Sequence, residues 1–253
     1  MREYPVHFWD ELNAQSPKFR NQFSSYKQYG GATLEGLLNP YDTTDMLVLK
    51  ANYSQTSYAE NEGNGKFSLR PLPKLVQRSP VNGIIVCDVN LDGNLDALML
   101  GNDYGNEVFS GKYDAGTGTV LLGDGKGNFV ALPSVKSGFK VAGDAKAFGR
   151  LKNGAGEEFF IATQNLDSVR VFKCNEMSQP NRSFQPLAMD SYAELHHENG
   201  MTEKVEFYYG SGYLSQSTRS ITVPSTVTAI RIFDYSGNQR NLEYSHLALG
   251  QHN

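Results

Sequence analysis

Along this chain the spacing of apolar side chains changes twice, dividing it into residues 1–44, 45–185 and 186–253. In the first stretch Phe8, Trp9 and Leu12 have helical spacing. The segment "SPKFRNQFSSYKQYGG" predicts a helix with Ser16 as N-cap and Pro17 at its first position. Phe19, Phe23 and Tyr26 line one face of it, and Gly30 and Gly31 end it. "TLEGLLNP" adds one more turn before Pro40, and these helices are expected to pack over a sheet.

From Asp45 the period becomes two. "MLVLKANYS" reads as a strand, and "SYAENEGNGKFSLRPL" as a hairpin turning at Glu62 to Gly65. "NGIIVCDV" reads as a buried strand, followed by an acidic loop and the strand "DALMLGN". "NEVFSGKYD", the hairpin "GTVLLGDGKGNFVAL", "FKVAGDAKAFGRL", "EEFFIATQN" and "SVRVFKC" continue as strands. The chain also repeats: "NEGNGKFSLRPLP" matches "GDGKGNFVALPSV", and "DALMLGN" matches "EFFIATQN". Asp88 then aligns with Asp144, in a unit of roughly 60 residues, the scale of a propeller blade. After Pro186 strong alternation, with turns at Asn199-Gly200 and Ser236-Gly237-Asn238, marks a separate small all-β unit. The expected architecture is mainly β: partial propeller-like blades, short N-terminal helices and a C-terminal all-β unit.

The acidic loop "DVNLDGNLD" carries the most specific chemistry. Asp88, Asn90, Asp92, Asn94 and Asp96 stand at alternate positions, Asn94 offering its backbone carbonyl, and Gly93 permits the sharp curl. Calcium takes six to eight oxygens of these types, whereas magnesium demands a smaller octahedral shell. Met99 occupies the place of an EF-hand's closing glutamate and the flanks are strands, so this is not an EF-hand. The expected ligand is Ca2+; the competing reading is an Asn/Asp-rich turn. In the second copy Lys146, Phe148 and Arg150 stand where carboxylates are needed, and no ion is expected there.

Bulk composition narrows the classes. A formal net charge of -4 with no basic stretch argues against nucleic acid. No run approaches the ~20 apolar residues of a membrane span. Cys87 and Cys174 lie too far apart for a zinc ribbon or a disulfide scaffold. They read as buried thiols, with a single structural disulfide as the alternative. The start has no signal-peptide core, so the chain is read as cytosolic or as a piece whose targeting sequence lies elsewhere.

"DVNLDGNLDALMLGN", with "NEGNGKFSLRPLP" before it and "GKYDAGTGTVLLGDGKGNFVAL" after it, resembles the FG-GAP/VCBS repeat family. That family builds β-propellers with DxDxDGxxD calcium loops, as in integrin α-subunits. The tail "FYYGSGYLSQSTRSITVP" with "IRIFDYSGNQR" resembles the ASPIC/UnbV domain that follows such repeats in secreted or outer-membrane bacterial proteins. The resemblance spans roughly residues 55 to 245. Asn90 replaces an acid of the pattern, which lowers the ligand charge and implies weaker binding. The resemblance implies a noncatalytic calcium-binding module for recognition or adhesion at an extracellular or outer-membrane surface. Its partners would be a protein or glycan ligand. Two blade units cannot close a propeller, and open edges tend to pair. The chain is therefore expected to be the C-terminal part of a longer protein with further blades, or to cover its open side with the aromatic N-terminal helices. The alternatives are a carbohydrate-binding component of a polysaccharide-utilisation system and a calcium-dependent polysaccharide lyase. For the lyase, no base can be placed beside the loop.

Other candidates are weaker. "LLGDGKGNF" leads into a strand rather than a helix, so it reads as a hairpin turn and not a phosphate cradle. His196 and His197 are adjacent and would point to opposite faces of a strand. Ser215 and Ser217 lack a nucleophile elbow and read as hydroxyls that bond turns. Tyr208, Tyr209 and Tyr213, with Arg219, form the best candidate ligand surface, since tyrosines stack on sugar rings.

Overall fold

The computed structural model describes residues 2–153, 157–173, 182–243 and 247–249. It is mainly β, with 40% strand and 11% helix, and the described strands form several antiparallel sheets and no closed barrel. The chain forms two compact units, residues 1–54 and 55–253.

In the first unit, helices α1 (Trp9–Gln15), α2 (Tyr26–Tyr29) and α3 (Leu34–Leu38) surround the buried Tyr29 and Leu37. The expected helix from Ser16 is broken. Pro17–Phe19 make one 3-10 turn, and α2 starts afresh where the Ser25 side chain caps Gln28 N. Ser24 also binds Gln28 by its backbone N–H, so side-chain partners replace the helical ladder between the two pieces. The expected strand "MLVLKANYS" does not form. Leu47 and Leu49 are 80% and 82% exposed. Alternation supplies a face, but a strand also needs a partner for its backbone groups.

The second unit opens with the hairpin β1 (Ser57–Gly63) and β2 (Lys66–Pro71). Asn64 and Gly65 at its tip both have positive φ, as a type I′ turn requires. A four-stranded antiparallel meander follows: β3 (Val81–Cys87), β4 (Asp96–Gly101), β5 (Thr119–Gly123) and β6 (Phe129–Pro133). Every residue of β4 is buried, because the strand lies between two cores. Leu98 and Leu100 face Phe148 and Phe160, whereas Ala97 and Met99 face Leu72, Val76 and Leu121. Strand β3 is only half-buried: Ile84 and Val86 face outward, contrary to the reading of a fully buried strand. An apolar run fits either environment, and β4 and β5, unlike β3, have a core on each side.

After the one-turn helix α4 (Ser134–Ser137) comes a three-stranded meander, β7 (Ala145–Lys152), β8 (Glu158–Gln164) and β9 (Asp167–Lys173). The two meanders share one core, in which Phe139, Phe148, Phe160 and Phe172 meet at centroid distances of 4.8–6.4 Å. Close approach of β3 and β7 requires Gly83, where a Cβ would lie 2.5 Å from that of Phe148. The expected strand "NEVFSGKYD" is instead a looped excursion between β4 and β5, tied by the single bridge Asp103–Tyr113. Val108 at its tip is 99% exposed, so no neighbouring strand rewards its alternation.

The C-terminal part is a two-layer sandwich. One layer has the order β12 (Thr202–Glu206), β11 (Asp190–His197), β14 (Val227–Asp234), β15 (Gln239–Leu242). The other has β13 (Ile221–Val223), β10 (Arg182–Phe184), β16 (Ala248–Leu249). Leu195, Ile230 and Ile232 of the first layer pack against Phe184 and Val223 of the second. This layer therefore begins by Arg182 rather than at 186, because Phe184 is needed for its core. The β11–β12 hairpin forms at Asn199-Gly200, but only Gly200 has positive φ, so the turn is not type I′. It spans five residues, closed by His197 N donating to Met201 O at 2.9 Å. Cys174 lies outside the described residues.

A hydroxyl-rich segment joins the sandwich to the open edge of β7. Thr218 N donates to Arg150 O at 2.8 Å, Arg150 N to Ser217 Oγ at 3.0 Å and Lys152 N to Thr218 Oγ1 at 3.2 Å. Ser215 Oγ donates to Phe148 O at 3.0 Å. These hydroxyls stand in for a neighbouring strand's backbone.

Candidate functional site

The acidic loop connects β3 to β4, and each of its carboxylates accepts two N–H groups. Asp88 accepts from Asp92 N at 3.2 Å and Gly93 N at 2.9 Å. Asp92 accepts from Asn94 N at 2.8 Å and the Asn90 amide at 3.0 Å. Asp96, fully buried, accepts from Val89 N and Gly123 N, both at 2.9 Å, and so clamps the loop and the β5–β6 turn together. The curl depends on two left-handed residues, Leu91 at φ 60° and Gly93 at φ 87°. The Asn94 N–H, then the Asn90 amide, hold the Asp92 carboxyl below its ordinary range.

Part of the repulsion between these neighbouring carboxylates is thus relieved by N–H dipoles. Among the described residues no group of three or more His, Cys, Asp or Glu side chains is gathered closely enough to hold a metal. The donor chemistry nevertheless fits a hard cation. Each of these carboxylate oxygens accepts one of the hydrogen bonds described above and carries a second lone pair. Closure on an ion would require Asp88, Asn90 and Asp92 to turn inward from their present arrangement.

The structure realigns the repeat. Asn102 N binds Pro80 O at the mouth of β3–β4, and Asn165 N binds Asp144 O at the mouth of β7–β8. Asp144 therefore corresponds to Pro80, not to Asp88. The connection matching the acidic loop is residues 153–157, where Asn153 and Glu157 close the hairpin by Asn153 N–Glu157 O at 3.0 Å and Glu157 N–Asn153 Oδ1 at 2.9 Å. Lys146, Phe148 and Arg150 lie on β7 itself. Lys146 pairs with buried Asp144 at 2.8 Å, Phe148 is core, and Arg150 reaches Ser220 O at 3.3 Å. The alignment slipped because the second connection is three residues shorter, five between Lys152 and Glu158 against eight between Cys87 and Asp96.

Among the tyrosines only Tyr209 joins Arg219. The guanidinium lies 3.9 Å from the Tyr209 ring centroid. The two residues border an open cleft of about 410 Å³ with Gln185, Pro186, Gln216 and Ser217. Tyr208 instead bonds Glu206, and neither it nor the exposed Tyr213 borders the cleft. Behind the cleft, buried Asp190 receives both Arg240 amino groups and Leu187 N at 2.7 Å. Burial pushes the Asp190 carboxyl upward, but the Arg240 hydrogen bonds, Leu187 N–H and the Arg240 and Arg219 charges outweigh it, and the net direction is down.

The remaining motifs are structural. Asp124 and Asn128 close the "DGKGN" turn through Asn128 N–Asp124 Oδ1 at 3.1 Å. His196 bonds Thr202 at 3.1 Å and His197 bonds Thr226 at 2.9 Å, so the pair shares no ligand position. Reading by motif passed over Asn102. It is fully buried at φ 99°, accepts Gly116 N at 2.9 Å, and donates to Gly116 O at 3.0 Å and Gly143 O at 2.9 Å. The available signal was an amide directly following a strand with the apolar run Ala97–Leu100.

No helix among the described residues is long and apolar enough to cross a membrane. No family model matches the chain, and neither the curated proteins nor the solved structures contain a match.

Proposed function

We propose that this chain is a noncatalytic recognition or adhesion module of the FG-GAP/VCBS type, in which calcium binds the 88–96 loop and steadies the first meander. A surface-exposed location, with further blades in a longer protein, accompanies that reading. One observation carries it. Asn153 and Glu157 bond each other across the five-residue β7–β8 connection, whereas the equivalent β3–β4 connection runs eight residues with the carboxylates Asp88 and Asp92, and a third, Asp96, opens β4. Turning the chain does not require those acids, and Leu91 is held at positive φ to keep the curl. Oxygen donors on a pinned loop, with Asp96 anchored beneath them, suit a weakly held Ca2+ in the ~10⁻⁴–10⁻³ M class.

An ion bound only by the folded chain raises stability by about 2.7 kcal/mol at a hundredfold excess over Kd. Calcium is therefore expected to raise the melting temperature relative to EDTA. Asp92→Ala should erase that rise, whereas Asp144→Ala should lower the baseline and keep it. Superimposable melting curves in roughly 0.1 M calcium, about a hundredfold excess over the weakest Kd of that class, and in EDTA would overturn the calcium reading.

A further inference from the structure

We propose that the cleft at Tyr209 is a subsite for one neutral pyranose unit of a glycan. The inference rests on the recognition reading and gives it a ligand class. The Tyr209 ring is 59% exposed yet fixed at both ends. Its hydroxyl donates to Ala188 O at 3.1 Å, and the Arg219 guanidinium covers one face at 3.9 Å from the centroid. Arg219 is itself anchored, its amino groups on Asp190 O at 3.0 Å, Leu187 O at 3.4 Å and the Tyr209 oxygen. An exposed aromatic ring that cannot swing loses little entropy when a ligand stacks on it.

The rim adds direction. Gln216 is held between Gly210 N and Ser217 O, the latter at 2.7 Å. Ser217 Oγ accepts Arg150 N at 3.0 Å, which leaves its O–H to donate. Gln185 brings a second amide to the same cleft. A ligand with an apolar C–H face and a periphery of hydroxyls satisfies both the ring and these amides. The cleft volume of about 410 Å³ lies in the small-molecule range. A carboxylate is disfavoured: the amino groups of Arg219 point at protein oxygens and its Nε is buried, so no guanidinium fork is presented.

The test is saturation-transfer NMR and calorimetry on the full chain with methyl β-glucoside, methyl β-galactoside and cellotetraose. At least one probe should bind, about tenfold more weakly in Tyr209→Ala and a few-fold more weakly in Tyr209→Phe, with Tyr208→Ala unchanged. Gln185→Ala should weaken binding with the melting curve unmoved, which separates loss of the rim from loss of folding. Binding that survives both Tyr209→Ala and Gln185→Ala would move glycan recognition elsewhere and sink this assignment. Silence from all three probes would also sink it, while the calcium response of the same samples reports separately on the module reading.

Discussion

At the β3–β4 connection two carboxylates and two amides line eight residues, with a third carboxylate, Asp96, opening β4; at the β7–β8 connection Asn153 and Glu157 bond across five. Both hairpins belong to one core and begin from the same mouth, with Asn102 and Asn165 in equivalent places. Their other polar groups have diverged. In the first hairpin the acids collect N–H donors from their own loop and from Gly123. In the second, Arg150 and Lys152 turn sideways to the hydroxyls of the C-terminal sandwich. Folding the hairpin and elaborating its loop are therefore separable, which is why the elaborated loop is read as functional.

The strongest way to break this comparison is at the two mouths. Asn102→Ala removes the acceptor of Gly116 N and the donor to Gly116 O and Gly143 O, and puts Ala at φ 99°. A loss of about 3–4 kcal/mol is expected in urea unfolding, from unsatisfied groups plus left-handed strain. Asn165 is exposed and its amide makes a 3.3 Å contact with Asp144, so Asn165→Ala should change stability by about 0.5 kcal/mol or less. Equal losses would mean that the mouths are equivalent in energy as well as position.

The same pair shows what the sequence made legible. Hairpins at Asn64-Gly65 and Asp124–Asn128 were readable because their turn residues encode backbone geometry locally. The acidic loop was readable for the same reason. Strands at 46–54 and 106–114 were misread because alternation is local, whereas a partner strand is not. Asp144 was matched to Asp88 because each is the next acid after the matching Phe67 and Phe129 turns; only the backbone bond from Asn165 to Asp144 reveals its true counterpart, Pro80. The Ser217–Arg150 and Arg219–Tyr209 contacts join distant segments, and no spacing announces them.

A smaller effect is expected one turn deeper. Asp96→Asn puts an amide N–H2 against either Val89 N or Gly123 N, and should cost about 2 kcal/mol. Its counterpart Glu158 is largely buried and faces Arg150 at 3.9 Å, so Glu158→Gln loses that charge pairing but orphans no backbone N–H, and should cost about 1 kcal/mol. Chemical denaturation of both variants, run in EDTA, checks the clamp independently of any ion.

The finest contrast is electrostatic. Asp92 and Glu157 both titrate below their ordinary values, but for different reasons. Neutral donors hold Asp92, the Asn94 N–H first and the Asn90 amide second. For Glu157 the leading cause is the hydrogen bond from Lys173, then the Asn153 amide, then the Lys173 charge. A depressed folded-state pKa contributes stability that is present above the unfolded value and fades as pH falls through the folded one. Salt screens an exposed ion pair and leaves a neutral N–H bond largely intact. In a carboxylate NMR titration, concentrated sodium chloride should therefore raise the Glu157 pKa toward its ordinary value while Asp92 stays depressed. Millimolar calcium should do the reverse, lowering Asp92 further and leaving Glu157 unmoved. If instead both acids follow sodium chloride together and neither answers to calcium, then the two connections differ in length alone, and the argument for an ion at 88–96 loses its physical basis.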